Sequence, residues 1–409
     1  MGNKRVPEVR FEGFSGEWEE RKLGDFTESY SGGTPSAGNK LYYGGSIPFI
    51  RSAEINSKST ELFITEDGLN NSSAKMVEKG DILYALYGAT SGEVGIAKIH
   101  GAINQAILAI KPKFDDDSYF IMQWLKKQKS TIINTYLQGG QGNLSGSIVK
   151  DLIIPLPTNK DEQVKLGDFF KKIDDTIALH QQELTTLKQT KQGFLQKMFP
   201  KEGKSVPEVR FSGFTGDWEQ RKLREMLAEP VTDGPHETPK LEESGIPFIS
   251  VDAIVDNQID FDRKRGYISE ETDELYSKKY RPQYHDVFLV KSGSTVGKTA
   301  IVETKERFNI WSPLAAMRVG EVSDPYFLYF LLQTRKMQNQ VKDKASSGTQ
   351  PNLGMRELEK FHTQITPNLE EQKKIGAFFQ QLDNLITLHQ RELEALKKTK
   401  KAFLQKMFV

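Results

Sequence analysis

The heptapeptide GSTVGKT at 293–299 has the residue types that cradle a phosphate: glycines that let backbone N–H groups turn inward, a lysine for charge and a hydroxyl for a metal ion. Its spacing does not fit. Three residues separate Gly293 from Gly297, where the phosphate-binding loop needs four between its glycines. The matching stretch of the first half, GATSGEV, has Glu93 where Lys298 stands. Nucleotide hydrolysis is therefore not expected. Methylation of a base amine would need an Asn-Pro-Pro-aromatic or similar tetrapeptide to hold the flipped base, and none occurs. Ile-Pro-Phe at 47–49 and 246–248 lacks the polar residue that would accept the amine hydrogens. No Gly-x-Ser-x-Gly elbow comes with a histidine partner, the 6 histidines form no ligand pair, and no carboxylates have metal-ligand spacing. Cysteine is absent, which removes disulfides and thiolate metal sites and fits a reducing compartment. The chain is expected to catalyse nothing by itself, and no metal or cofactor site is expected in it.

Composition is that of an ordinary globular protein: 409 residues, 37% hydrophobic and 27% charged, long enough for two or more domains. No apolar run has the length needed to cross a bilayer, and the start MGNKRVPEVRFEGF lacks the apolar centre of a signal peptide. Its Met-Gly-Asn resembles a myristoylation signal, but Val6 stands where that signal wants Ser or Thr. Net charge is +1, so bulk electrostatics does not point to a polyanion. Basic residues gather only locally, at Lys126, Lys127 and Lys129, at Arg263, Lys264 and Arg265, and at Lys278, Lys279 and Arg281; such runs are usually solvated faces.

The elements that would position any site are written twice. Residues 5–23 return as 205–223 with 14 of 19 positions identical, and 161–199 return as 370–408 with 23 of 39 identical. The offset grows from 200 to 209, so the segment between the matched ends is nine residues longer in the second copy, where identity falls to islands. This is a duplicated domain rather than a solenoid. The boundaries read as a lead-in segment over 1–23, a globular segment over 24–158 and a long helix over 159–200. They repeat as 201–223, 224–367 and 368–409. The lead-in aromatics Phe11, Phe14 and Trp18, with Phe211, Phe214 and Trp218, are expected to pack on a neighbouring element. In the globular segments, 46–55 matches 245–254 and 80–88 matches 285–293 as strands; both strands of the latter pair run into Gly-rich loops, 88–92 and 293–297. Helices are expected near 117–137 and 324–344, with Trp124, Leu125, Phe330 and Leu331 in the core. The class is α+β.

The long helices carry the strongest periodicity. Ile173, Ile177, His180, Leu184, Leu187, Lys191, Phe194 and Met198 are spaced by alternating fours and threes, and Leu382, Ile386, His389, Leu393, Leu396, Lys400, Phe403 and Met407 repeat the spacing. This is a heptad seam, with His and Lys interrupting it at the same places. Proline is absent from 158–199 and from 368–409. At about 1.5 Å per residue, such a helix is a rod of roughly 58 Å, too long to bury its stripe against a small domain. It needs a partner helix, and the nearest candidate is the other copy, parallel or antiparallel. His180 and His389 read as polar seam residues fixing register, and Lys191 and Lys400 as stems on the seam with outward ammonium groups.

Several coupled motifs, in order and twice over, resemble those of the specificity subunit of type I restriction-modification systems. They are PEVRF-x-GF-x-G-x-W, the GGTP…IPFI opening at 32–50 with its partner DGPHETP…IPFI at 233–249, and the Gly-rich loops. To these are added Gln141-Gly142-Asn143-Leu144 with Gln350-Pro351-Asn352-Leu353, and the EQ…FF-x-x-[IL]-D helix ending in FLQKMF. The resemblance spans essentially the whole chain. It implies two mixed α/β target-recognition domains, each reading half of a split asymmetric DNA site, separated by an antiparallel coiled coil in an internal pseudo-twofold repeat. It also implies a cytoplasmic, non-catalytic subunit on which two methyltransferase subunits dock, with one or two restriction subunits added. S-adenosylmethionine, ATP and Mg2+ then belong to those partners. Half-sites about one DNA turn apart, about 34–36 Å, are on the scale such a rod can span.

On the matching motifs, the residues expected at DNA are Thr34, His236 and Thr238 in the opening loops, and Ala89, Thr90, Ser91, Ser294 and Thr295 in the Gly-rich loops. Gln141, Asn143, Gln350 and Asn352 join them, because a side-chain amide can make two hydrogen bonds to an adenine edge. Lys126, Lys127, Arg263 and Lys264 are expected on phosphates. Each has a plainer reading as turn, cap or solvated charge. Two other function classes stay open at this stage: a coiled-coil scaffold without DNA readout, which buried loops would favour, and a self-sufficient modification enzyme, which would bind S-adenosylmethionine alone.

Overall fold

The structure, a computed structural model, describes residues 6–137, 143–346 and 351–409. It divides into two units. The first comprises Met1–Gln182 with Arg391–Val409, and the second comprises Glu183–Gln390. Each unit thus holds one globular segment and a length of both long helices, Lys160–Lys197 and Leu369–Met407.

In the first unit a four-stranded antiparallel sheet runs in the order Thr27–Ser31, Ile107–Pro112, Ile82–Ala85, Val94–Ile96. A second sheet centres on Tyr43–Ile50 paired in parallel with Gly101–Ile103. The second unit repeats both arrangements. Its four-stranded sheet runs Thr232–Asp233, Leu314–Met317, Val287–Val290, Thr299–Ile301, and Ile246–Ile249 pairs in parallel with Asn309–Ile310. The matched strands 43–50 and 246–249 end in short 3-10 turns at Ser52–Glu54 and Val251–Ala253, earlier than the sequence reading placed them. All four residues of Ile82–Ala85 and of Val287–Val290 are buried, so these strands are covered on both faces and show no in–out alternation.

The helix Ser118–Tyr136 lies where the sequence placed one. Its counterpart is two helices, Pro325–Gln333 and Arg335–Lys344. Thr334 breaks the run with extended backbone angles, and its side chain accepts the Met337 N–H as an N-cap. Trp124 and Leu125 are buried in the first core, and Phe330 and Leu331 in the second.

The lead-in segments are pinned rather than draped. Trp18 is 1% exposed and packs edge-on against Phe120 and Phe408; Trp218 packs edge-on against Phe199 and at a tilt against Phe327. Arg10 donates from Nε and Nη2 to the two carboxylate oxygens of Glu162, both at 2.7 Å, and from Nη1 to the Gly16 carbonyl at 2.6 Å. Arg210 repeats this with Glu371 at 2.6 and 2.8 Å and with Gly216 at 2.7 Å. Both glutamates are essentially buried. The next residue of the repeated Glu-Gln pair holds the turn before the helix: Gln163 donates to the Pro157 carbonyl at 3.0 Å, and Gln372 to the Thr366 carbonyl at 2.9 Å.

The seam is antiparallel within each unit. In the first, Phe169 meets Phe403 with ring centroids 5.1 Å apart, Asp174 pairs with Lys400 at 2.6 Å, and His180 lies 3.7 Å from Glu392. In the second, Glu183 lies 3.6 Å from His389, Lys191 pairs with Asp383 at 2.6 Å, and Phe194 meets Phe378 at 5.1 Å. Partner numbers fall as the first helix advances, which only antiparallel pairing produces. Every seam position is shielded, with Leu184, Ile386 and Leu393 buried and Ile173, Ile177, Leu187, Leu382 and Leu396 partly so.

The seam lysines are a correction. Their ammonium groups do not point outward: Lys191 and Lys400 side chains are only 13% and 14% exposed, and each is neutralised by its aspartate. The two aspartates differ. Burial pushes both carboxyls up, but Lys400, with Tyr119 and Lys126, overcomes this at Asp174 and holds it below the usual range. At Asp383 burial prevails over Lys191 and the carboxyl stays raised. A depressed carboxyl contributes stability above its unfolded pKa and loses it as pH falls through the folded value. Asp174→Asn is therefore expected to cost about 2–3 kcal/mol near neutrality, leaving Lys400 without its charge partner, with the difference closing below about pH 4. Urea unfolding of both proteins from pH 7 down to 2.5 measures this; a pH-independent gap would contradict it.

Candidate nucleic-acid interface

In each unit the four-stranded sheet brings three loops together at one edge, because its two central strands are antiparallel and the loop leaving one lies beside the loop entering the other. In the first unit these are 32–35, 86–92 and 104–106. The Gly33 N–H donates to the Ile103 carbonyl at 3.2 Å, the Leu86 N–H donates to Ala106 at 2.8 Å, and the Thr34 hydroxyl bonds Gln105 Oε1. Asn143 joins through a bridge to Tyr87, and the Leu144 N–H donates to Leu86 at 2.9 Å. In the second unit, 233–238, 291–297 and 311–313 meet in the same way. The Ser312 N–H donates to Pro235 at 3.1 Å, the Lys291 N–H to Pro313 at 2.8 Å, and Asn352 bridges Ser292. The opening-loop glycines have a steric reason: a Cβ on Gly32 or Gly234 would stand 1.9 Å from the carbonyl oxygen of Ile103 or Ile310.

The sequence candidates distribute unevenly. Thr34, Ala89, Asn143, His236, Thr238, Ser294 and Asn352 are exposed at these edges, and Thr90 and Thr295 are half-buried beside them. Ser91 is a correction: it is 7% exposed and its hydroxyl donates to the Leu86 carbonyl at 3.0 Å, so it closes the turn instead of facing outward. Gln141 and Gln350 lie outside the described residues.

Two of the phosphate candidates are also corrections. Lys127 donates to the main-chain carbonyls of Phe408 and Val409 at 3.1 and 3.2 Å, capping the end of the second long helix. Lys126 is mostly desolvated; burial and the nearby Lys400 lower its ammonium pKa. Neither ammonium stands freely in solvent. Arg263 is exposed beside Asp260 at 3.4 Å, and Lys264 lies 5.0 Å over the Tyr267 ring. Arg263 ends the short 3-10 turn Phe261–Arg263 and Lys264 caps it, ahead of the strand Gly266–Ile268.

Sequence reasoning passed over the most charged feature of this edge. Asp233 is fully buried and faces Lys279, Lys291 and His236, the last two with Nζ at 3.2 Å and Nε2 at 3.4 Å. Asp233 lies in the DGPHETP motif and Lys279 in a basic run, but nothing local joins them across 46 residues.

The profile of the type I restriction modification DNA specificity domain matches residues 15–189 and again 215–398, most of the chain and once per repeat. The chain belongs to this family. It is 25% identical to the MjaVIII specificity subunit of Methanocaldococcus jannaschii over 98% of its own length and 92% of the relative's. It is 26% identical to the MjaIX specificity subunit of the same organism over 96% and 92%. The crystal structure of the type I restriction-modification S subunit from M. genitalium has the same fold, with a TM-score of 0.70 at 16% identity and 99% of each chain covered. A second structure, from work on assembly and conformational transition of a type I system, reaches 0.51 at 18% identity with 96% and 97% covered. Membership in a specificity-domain family assigns the chain to DNA sequence specificity, and it fits the exposure of unlike loops on a repeated sheet. Among the described residues no helix is long and apolar enough to cross a membrane.

Gly234→Ala is expected to push the opening loop off the 310–313 turn, since the obstructing atom is backbone and cannot swing aside. The loss should be about 2 kcal/mol or more, in the range of strained backbone substitutions. Gly354→Ala, with only a flexible Glu357 carbon 3.9 Å away, should cost far less. Thermal unfolding of both variants measures this, and equal midpoints would contradict it.

Proposed function

We propose that the two globular segments each read one half of a bipartite, asymmetric double-stranded DNA site. The paired helices fix the permitted gap between the halves and dock two methyltransferase subunits, and one or two restriction subunits complete the assembly. The subunit contributes recognition and scaffolding and no catalytic group. S-adenosylmethionine, ATP and Mg2+ serve the partners, and the complex acts on cytoplasmic DNA.

The observation that carries this reading is that one sheet order and one strand register recur in both units, while the loops at the shared edge differ in residue type and charge. Repetition suits what must be the same for both halves, namely the partner faces and the helix seam. Divergence suits what must differ, the bases. Exposure of these loops speaks against a scaffold that merely organises proteins, for which they could be packed away.

Deleting the gene should abolish one bipartite methyl-adenine motif from the methylome of its cells; an unchanged methylome would refute the reading. Replacing residues 24–157 with the corresponding segment of another family member should change one half of that motif and leave the other intact. A change in both halves, or in neither, would break the assignment of one segment to one half. Inserting one helical turn at matched positions of both long helices should lengthen the tolerated gap without altering the letters, as read by sequencing methylated sites. Altered letters at an unchanged gap would contradict the spacer role.

A further inference from the structure

Resting on the reading of segment 224–367 as one half-site reader, we propose that Lys279, held by the buried carboxylate of Asp233, reads a guanine in the major groove. Asp233 is the positioning residue. Its side chain has no exposure, and two lysine ammonium groups converge on it: Lys279, 45% exposed, and Lys291, 10% exposed. One carboxylate against two ammonium groups leaves a surplus positive charge. Lys291 is the inner cation and Lys279 the outer. An ammonium has three donors. Lys279 uses one on Asp233 Oδ1 and one on the Gly234 carbonyl at 2.9 Å, which fixes its head and leaves a third for a group outside the chain. Placed between O6 and N7 of guanine, that one N–H is shared by two acceptors, whereas adenine and cytosine would turn amino hydrogens toward the charge and thymine offers O4 alone.

The comparison between copies separates a base contact from a phosphate contact. In sheet register, Ser31 opposite Leu108 is the counterpart of Asp233 opposite Ala315, and Leu86, following the strand Ile82–Ala85, is the counterpart of Lys291. The first copy therefore has no anchor of this kind; its edge presents the Thr34 hydroxyl and the Gln105 amide. The DNA backbone is the same at both half-sites, so a phosphate-holding charge belongs to the shared frame. A group built into one copy alone, at the edge where the loops diverge, belongs to sequence reading.

The test is methylation of a randomised duplex pool by the complete complex with its methyltransferase subunits, followed by sequencing of the methylated sites. For wild type, the half assigned to 224–367 should contain a fixed guanine. Lys279→Met should relax that one position by about tenfold or more, the scale of a single good base contact, with the other half unchanged. Lys279→Arg should retain guanine. The double variant Asp233→Ser with Lys291→Leu, which installs the first copy's residues and strands no buried charge, should relax the same position. The proposal is overturned if that half has no guanine, if Lys279→Met leaves its letters unchanged, or if the variant weakens all sites uniformly as loss of a phosphate contact would. A wild-type complex with no bipartite preference would instead refute the functional reading itself.

Discussion

Two helices of nearly forty residues, each with a single apolar stripe, can exist in water only if something covers the stripe along its length. Each unit solves this locally with an antiparallel stretch of the two helices. The apolar seam supplies the drive, and the Asp174–Lys400 and Lys191–Asp383 pairs set the register. A buried ion pair is a weak source of net stability but a strong discriminator, because any slip leaves a charge in a poorly solvated place. The residues of one pair are the sequence counterparts of the other, so a single duplicated motif makes both. That economy follows from antiparallel geometry, in which an aspartate near one end of a helix meets a lysine near the far end of its copy.

The globular segments hang on this frame through the pinned lead-in segments. Arg10 with Glu162 and Arg210 with Glu371 are bidentate pairs to buried carboxylates on the first turn of each long helix, so the lead-in cannot shift without stranding a charge. Trp18 and Trp218 then close the same junction from the apolar side. What remains outside the repeated set is the loop edge of each four-stranded sheet, and it is there that the two units part in chemistry.

Much of this was legible in the sequence where the signal is periodic or duplicated. The seam positions could be read one by one, because a heptad pattern over eight positions has few competing explanations, and the helix Ser118–Tyr136 likewise. Strand ends were less legible: Ile82–Ala85 and Val287–Val290 are covered on both faces, so no alternation marks where they stop. The stop at Thr334 was hidden because threonine is common inside helices as well as at their starts. Long-range ion pairing left no trace at all. Lys191 read as a lysine reaching for water because its partner is 192 residues away, and Lys127 read as a surface charge because its acceptors, the Phe408 and Val409 carbonyls, are 281 and 282 residues away. The Asp233 cluster was missed for the same reason. At the loop edge, residue types named plausible readers, but only geometry separates an exposed Thr34 from a Ser91 turned inward to its own backbone.

The antiparallel seam is open to direct measurement, since the chain has no cysteine of its own to interfere. Stepping along the heptads from the Asp174–Lys400 pair brings Ile177 opposite Leu396. Cysteines introduced at 177 and 396 should form an intramolecular disulfide under mild oxidation, seen as a mobility shift that reductant reverses. Cysteines at 177 and 386, equivalent positions that parallel helices would place side by side, should not. Cross-linking of the second pair and not the first would contradict the account at its root.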